Sequence, residues 1–171
     1  RIQVLWSVLA SLGDLRVTDH LNGTSMVSET HTRPPVRLLF IVQAAAAWSS
    51  FRSVYRSAVG DPRFAVKVVL SPFYHHLSPL APAYEQSREL LAREGVSYIT
   101  HEYFALEDFR PDVVFLQNPY EDTRPQTLQI PELQAVGARI AYIPYGLEMG
   151  GGSWNIDAQF NQQIHQTAWR I

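Results

Sequence analysis

The chain of 171 residues contains no cysteine. That absence excludes disulfide frameworks, thiolate metal sites and cysteine nucleophiles, and it is compatible with a reducing compartment. Lysine is nearly missing as well, with Lys67 the only one. At a formal charge of −2 and with no cluster of Lys and Arg, there is no basic field to hold a nucleic-acid backbone. No apolar run approaches the roughly 20 residues of a membrane-spanning helix. Three motifs are lacking too. No G-x-G-x-x-G follows the first apolar run, where Ala44–Ala47 stand instead, and neither a Walker A sequence nor a G-x-S-x-G elbow occurs. These gaps argue against a nicotinamide dehydrogenase, a P-loop ATPase and an α/β-hydrolase.

What is present is core material. Hydrophobic residues make up 46% and charged residues 18%, a balance that suits one globular domain and argues against disorder. Leu5, Val8, Leu9, Leu12 and Leu15 form the stripe of a short amphipathic helix. Residues 18–35 are polar and end in Pro34-Pro35, which reads as a linker, so residues 1–35 form a helical extension and linker. The Asn22-Gly23-Thr24 sequon within it reads as a plain loop. Ile2–Leu12 lacks the basic cluster and small-residue cleavage site of a targeting segment. The chain starts at Arg1, and the helical spacing of Phe160, Ile164, Ala168 and Ile171 runs to the last residue. It therefore reads as a piece of a longer protein, with a domain over 36–171 truncated at its C-terminus.

From Val36 the pattern alternates. Val36–Gln43 is a continuous apolar run, the sign of a strand buried on both faces. A helix follows over Trp48–Val59, with Ser49 or Ser50 as its cap. The remaining strands are expected at Ala65–Leu70, Val96–Thr100, Val113–Gln117 and Arg139–Ile143. Between them, Pro72–Pro82 reads as a loop, Tyr84–Glu94 as a helix stopped by Gly95, Leu106–Phe109 as a helical turn and Pro131–Val136 as a short helix. A last helix runs from Asp157. Parallel strands need crossover connections, so the alternation predicts an α/β, Rossmann-like fold: a doubly wound parallel five-stranded sheet.

In such sheets ligands bind outside the carboxyl ends of the strands, where the winding reverses. That rule selects residues 43–49, 71–76, 117–124 and 145–153, which hold Gln43, Trp48, Gln117, Asn118, Tyr120, Tyr145 and Glu148. Gly150-Gly151-Gly152 lies between a strand and a helix and suits either close backbone approach to a phosphate or a hinge. His75 and His76 are candidate general bases, but adjacent residues point to opposite sides, which argues against a two-histidine metal site. His165 adjoins the apolar stripe of the last helix, as a packing residue or a catalytic one. Glu107-Asp108 and Glu121-Asp122 read as solvated turns, with no third ligand at metal-site spacing. No metal site is expected.

Several longer phrases carry a resemblance: FIVQ at 40–43, WSSFRSVYRSAVGDPRFAVKVV at 48–69, RPDVVFLQNPYEDTRP at 110–125, IAYIPYGLEMGGG at 140–152 and HQTAWRI at 165–171. Over residues 36–171 the chain resembles the N-terminal part of CDP-glycerol glycerophosphotransferase-like proteins of bacterial capsule, teichoic-acid and surface-polysaccharide synthesis. Members of that group resemble GT-B glycosyltransferases, in which two Rossmann-like domains face a cleft. The resemblance implies an acceptor-side domain partnered by a C-terminal domain that holds a nucleotide-activated donor, CDP-glycerol or a nucleotide sugar. No cofactor is implied for this part of the protein. The residues it carries over are Gln117, Asn118, Tyr120 and Arg124, then Tyr145, Gly146, Glu148 and Gly150–Gly152, with His165 besides. Ala44–Ala47 departs from the polar, proline-containing turn such a domain should have, which puts a charged ligand at the first loop in doubt.

On this view an acceptor hydroxyl of a glycan or polyol attacks the activated donor. His75, His76, His165 or Glu148 is the candidate base, and Arg124 and the 150–152 amides meet negative charge. The location implied is cytoplasmic, at the inner face of the bacterial membrane. The competing expectation is a non-catalytic, flavodoxin-like ligand-binding or docking module, whose amphipathic extension packs on a neighbouring domain or lies on a membrane surface.

Overall fold

Strands buried on both faces of a parallel sheet are apolar at every position, whereas a half-exposed strand alternates. In the computed structural model, which describes residues 34–75, 78–145, 156 and 160–171, the first strand is of the buried kind. β1 (Val36–Val42) is buried without interruption from Leu38 to Val42. Helix α1 (Trp48–Val59) follows, then β2 (Phe64–Leu70) and a small antiparallel hairpin of β3 (Tyr74–His75) and β4 (Ser78–Pro79). Helix α2 (Ala81–Arg93), β5 (Ile99–Thr100), the single turn α3 (Leu106–Phe109) and β6 (Val113–Leu116) come next. Helix α4 (Ile130–Ala135), β7 (Arg139–Tyr142) and α5 (Gln163–Thr167) complete the order. All belong to the unit that begins at Pro35.

The result is an α/β fold with a five-stranded, all-parallel sheet in the order β5-β2-β1-β6-β7. Residue parity shows what covers each face. Phe40 stacks on Phe115 with centroids 4.5 Å apart, and Phe51 and Tyr55 of α1 meet Phe40 edge-on at 5.4 and 5.9 Å. The opposite face, with Leu39, Ile41, Val114, Leu116 and Ile140, packs against Ile130 and Leu133 of α4 and Ile164 of α5. Helices therefore lie on both faces. Lys67 alternates onto the α4 face and sets its ammonium 4.6 Å from the Phe109 ring centre, so the one lysine closes the core by a cation–π contact. At the amino ends, Asp112 accepts from the Arg37 backbone N–H at 2.8 Å and pairs with its guanidinium, joining β1 to β6.

Several local expectations change under tertiary constraint. α2 starts three residues earlier than its apolar pattern suggests, at Ala81, with Pro82 accommodated in the first turn. The stretch read as a loop contains the β3–β4 hairpin. The strand expected over 96–100 shrinks to Ile99–Thr100, because it finds partners only at Val69 and Leu70. Neither Ser49 nor Ser50 caps α1: a 3-10 turn over Ala45–Ala47 leads into it, and Ser50 Oγ donates back to the Ala47 carbonyl at 2.7 Å.

The final helix stops at Thr167 rather than continuing to Ile171. Trp169 N–H donates to the Ile140 carbonyl and Tyr142 N–H to the Arg170 carbonyl, at 2.8 and 2.9 Å. The open edge of β7 offers unpaired backbone groups, and strand-like pairing there outcompetes one more helical turn. The expected helix over residues 1–15 lies outside the described residues. Among the described residues, no helix is long and apolar enough to cross a membrane.

Two glycines end helices as only glycine does cheaply. Gly95 (φ 67°) and Gly137 (φ 90°) follow α2 and α4, and the next residues, Val96 and Ala138, donate back to the carbonyls of Leu91 and Leu133 at 2.9 and 3.1 Å. A Cβ at either position meets open space, so the cost of replacement is backbone strain alone. Gly95→Ala and Gly137→Ala should each lower stability by about 1–2 kcal/mol, read as the shift of the urea unfolding midpoint at unchanged slope.

Candidate functional site at the sheet's switch point

Strands β1 and β6 are neighbours in the sheet but not in sequence. β1 leads into α1 on one face and β6 into α4 on the other, so the connections diverge at the carboxyl ends, the place where sheets of this kind form their ligand crevice. The residue that follows β1 is Gln43, 4% exposed. Its Nε2 donates to the carbonyl of Pro72 at 3.1 Å and to that of Thr123 at 2.7 Å. Its Oε1 accepts from Asn118 Nδ2 at 2.6 Å. One side chain thus ties the segment after β2 and the segment after β6 to the end of β1.

Asn118 extends the network. Its Oδ1 accepts from the Tyr120 N–H at 3.0 Å, and from Thr123 Oγ1 and Arg124 Nη1 at 3.2 Å each. Arg124 also donates to the Asn118 carbonyl at 3.2 Å and pairs with Glu121. Burial pushes the Arg124 guanidinium down to about 10; it still carries its charge at neutral pH, and the Glu121 carboxylate neutralises it. The other oxygen of Glu121 accepts the N–H of Ile130 at 2.6 Å. A negative charge there also meets the start of α4, where helix N–H groups lack partners.

The structure therefore gathers Gln43, Asn118 and Arg124 into one buried network. Tyr120 is half-buried beside them, and β3, which carries the exposed His75, packs against the Glu121–Thr123 turn. Tyr145 is 50% exposed, and its N–H donates to the Gln117 carbonyl at 3.1 Å, which holds the segment after β7 to the end of β6. His165 sits apart from this network on α5, with its ring 5.4 Å from that of Tyr142. Its Nδ1 accepts the Gln162 N–H at 3.2 Å. His76, Gly146, Glu148, Gly150, Gly151 and Gly152 lie outside the described residues.

Gln117 behaves differently from its neighbours. It is 4% exposed, yet neither Oε1 nor Nε2 has a hydrogen-bond partner among the described residues. It follows the last residue of β6, where the regular strand alternation ends. Two participants escaped the sequence reading. Glu121, whose sequence context reads as a solvated turn, is the half-buried partner of the buried Arg124, and Thr123 locks the turn by donating to the Tyr120 carbonyl at 2.7 Å. The Asn118-Pro119 pair after an apolar run was the available signal for a side-chain-stabilised turn. Glu107 and Asp108 are exposed, as expected of a solvated turn. Among the described residues, no group of three or more His, Asp or Glu could hold a metal ion. No family model, curated protein or solved structure matches the chain.

Removing the Gln43 amide would leave two carbonyls and the Asn118 amide without their partner. Gln43→Ala should cost about 2–4 kcal/mol, whereas Tyr145→Ala at the same rim should stay within about 0.5 kcal/mol of the parent. Thermal and urea unfolding of the two variants side by side would check this contrast.

Proposed function

We infer that residues 36–171 form a Rossmann-like, doubly wound domain that binds the acceptor in a glycosyl- or glycerophosphotransferase. In support of this reading, the order among the parallel strands is 3-2-1-4-5, which matches five of the six strands of the Rossmann order 3-2-1-4-5-6. The QNPYEDTRP and IPYG phrases leave the carboxyl ends of the adjacent strands β6 and β7, at the side of the sheet where ligands bind.

The observation that carries the reading is the Gln117 side chain, a buried amide just after β6 whose donor and acceptor both lack a partner among the described residues. A hydroxyl also donates and accepts, so neighbouring hydroxyls of a polyol or glycan satisfy both halves of one amide. The donor-binding domain, the CDP-glycerol or nucleotide-sugar donor, and a location at the inner face of a bacterial membrane are parts of the same proposal. In the reaction, the acceptor oxygen forms its bond to phosphorus or to the anomeric carbon as the bond to the nucleotide leaving group breaks. The hydroxyl proton passes to a base, for which His75, His76, His165 and Glu148 are the candidates. Fixed position and fixed dipoles supply most of the rate in such transfers.

A second reading, a non-catalytic ligand-binding or docking module, draws support from Arg124. The cation among the candidate residues is already paired with Glu121 and leaves little charge for a phosphate. Its order of strands differs from the flavodoxin-type order 2-1-3-4-5.

Ligand-observed NMR on the 171-residue chain with glycerol, ribitol, short glycans, CMP and CDP-glycerol separates the two. A polyol or glycan should give saturation transfer without CMP, and Gln117→Met should abolish it. That variant is close in shape and removes an unpartnered buried amide, so it should unfold no earlier than the parent and gain up to about 1–2 kcal/mol. Silence across the panel, or binding indifferent to Gln117→Met, would overturn the acceptor reading and favour the docking module.

A further inference from the structure

A cavity of about 420 Å³ lies on the α1 face between α1, β2 and the segment leading into β5. It is separate from the switch-point crevice, because its floor is Val66 and Val68 of β2 rather than the ends of β1 and β6. Its origin is the shortness of β5. Only Val69 and Leu70 of β2 find partners there, so the chain before Ile99 passes the two valines without joining the sheet. The size lies within the usual range of about 300–1,000 Å³ for small-molecule sites and far above the ~30 Å³ share of one water.

The walls have a defined chemistry. Trp48 and Tyr55, two turns apart on α1, line one side with ring centroids 5.3 Å apart. Burial pushes the Tyr55 phenol up, so it remains a neutral hydroxyl at physiological pH. At the rim, Glu94 accepts from two guanidiniums, Arg52 Nη2 at 3.0 Å and Arg56 Nη2 at 3.1 Å. Two cations share one carboxylate, which leaves a formal excess of one positive charge beside an aromatic and aliphatic cleft. The imbalance is also visible atom by atom: Arg52 Nε is buried and has no hydrogen-bond partner among the described residues.

We propose that this cavity is a second ligand site, taking a small flat aromatic carboxylate. The ring lies against Tyr55 over the valine floor, and the carboxylate meets Arg56 at the rim. The shape and apolar lining select a flat ring, and the excess guanidinium selects an anion over its uncharged analogue. The site stands independently of the acceptor reading, since it uses neither Gln117 nor the network of Gln43, Asn118 and Arg124.

The test is a titration of the 15N-labelled 171-residue chain with phenylacetate, and with phenylacetamide as the uncharged analogue. The indole N–H of Trp48, identified by its disappearance in Trp48→Phe, reports occupancy. Phenylacetate should shift that resonance with an affinity about tenfold better than phenylacetamide, and Arg56→Gln should bring the two probes level. Ser97→Phe, a change at an exposed lining position that should leave the fold intact, should block both. Val66→Phe fills the floor from a partly exposed position and serves as the second blocking variant. An unmoved Trp48 resonance, equal response to acid and amide in the parent, or a shift that survives both blocking variants would overturn the proposal.

Discussion

The crevice end of this molecule depends on one amide. Gln43 leaves the central strand of the sheet and must satisfy a donor pair and an acceptor in a place closed to water. It does so with groups from the segments that follow two other strands, β2 and β6. A buried polar network of this kind is nearly all-or-none, because each member is costly to leave unpaired and strengthens its neighbours when paired. Asn118, Thr123, Arg124 and Glu121 extend it in an unbroken chain to the first turn of α4. The lip of the crevice is therefore rigid for a polar reason, while the sheet beneath it is rigid for an apolar one.

That division has a consequence for chemistry. On the α4 face the polar groups at the strand ends are engaged with one another, so they shape the crevice and hold its loops. Gln117, just after β6, has no hydrogen-bond partner for its donor or its acceptor among the described residues. Natural sequences rarely leave a buried amide without partners, and such groups concentrate where a ligand completes the set. The cavity under α1 arises from incomplete strand pairing rather than from polar design. The two places thus have different physical origins.

Much of this was legible in the chain. The apolar runs that became β1, β2, β6 and β7 were evident because buried parallel strands have no polar alternation to disguise them. Gly95 was identifiable as a helix stop because its left-handed φ of 67° is cheap only for glycine. The carboxyl-end rule pointed to Gln43, Gln117, Asn118 and Arg124 before any geometry was known. The division of labour among them was not legible. Glu121 and Asp122 look alike in sequence, yet Glu121 joins a buried guanidinium and Asp122 stays exposed. The serines at 49 and 50 have the composition of a cap but lie inside the first turn, because the alanine 3-10 turn leads directly into α1 at Trp48.

By itself the sequence determined the alternation of strands and helices, the crossover connections that follow from it, and the end of the sheet at which polar residues collect. Those features rest on periodicity and backbone preference within a few residues. Only the tertiary structure decided which polar groups bond to one another, where β5 stops and why α5 gives way to pairing along β7. The reason is distance along the chain. Gln43 meets Asn118 across 75 residues and Thr123 across 80, and Tyr142 meets Arg170 across the opening and closing of a helix. No local pattern encodes such partners, because the free energy that selects them exists only once the sheet has brought the strand ends together.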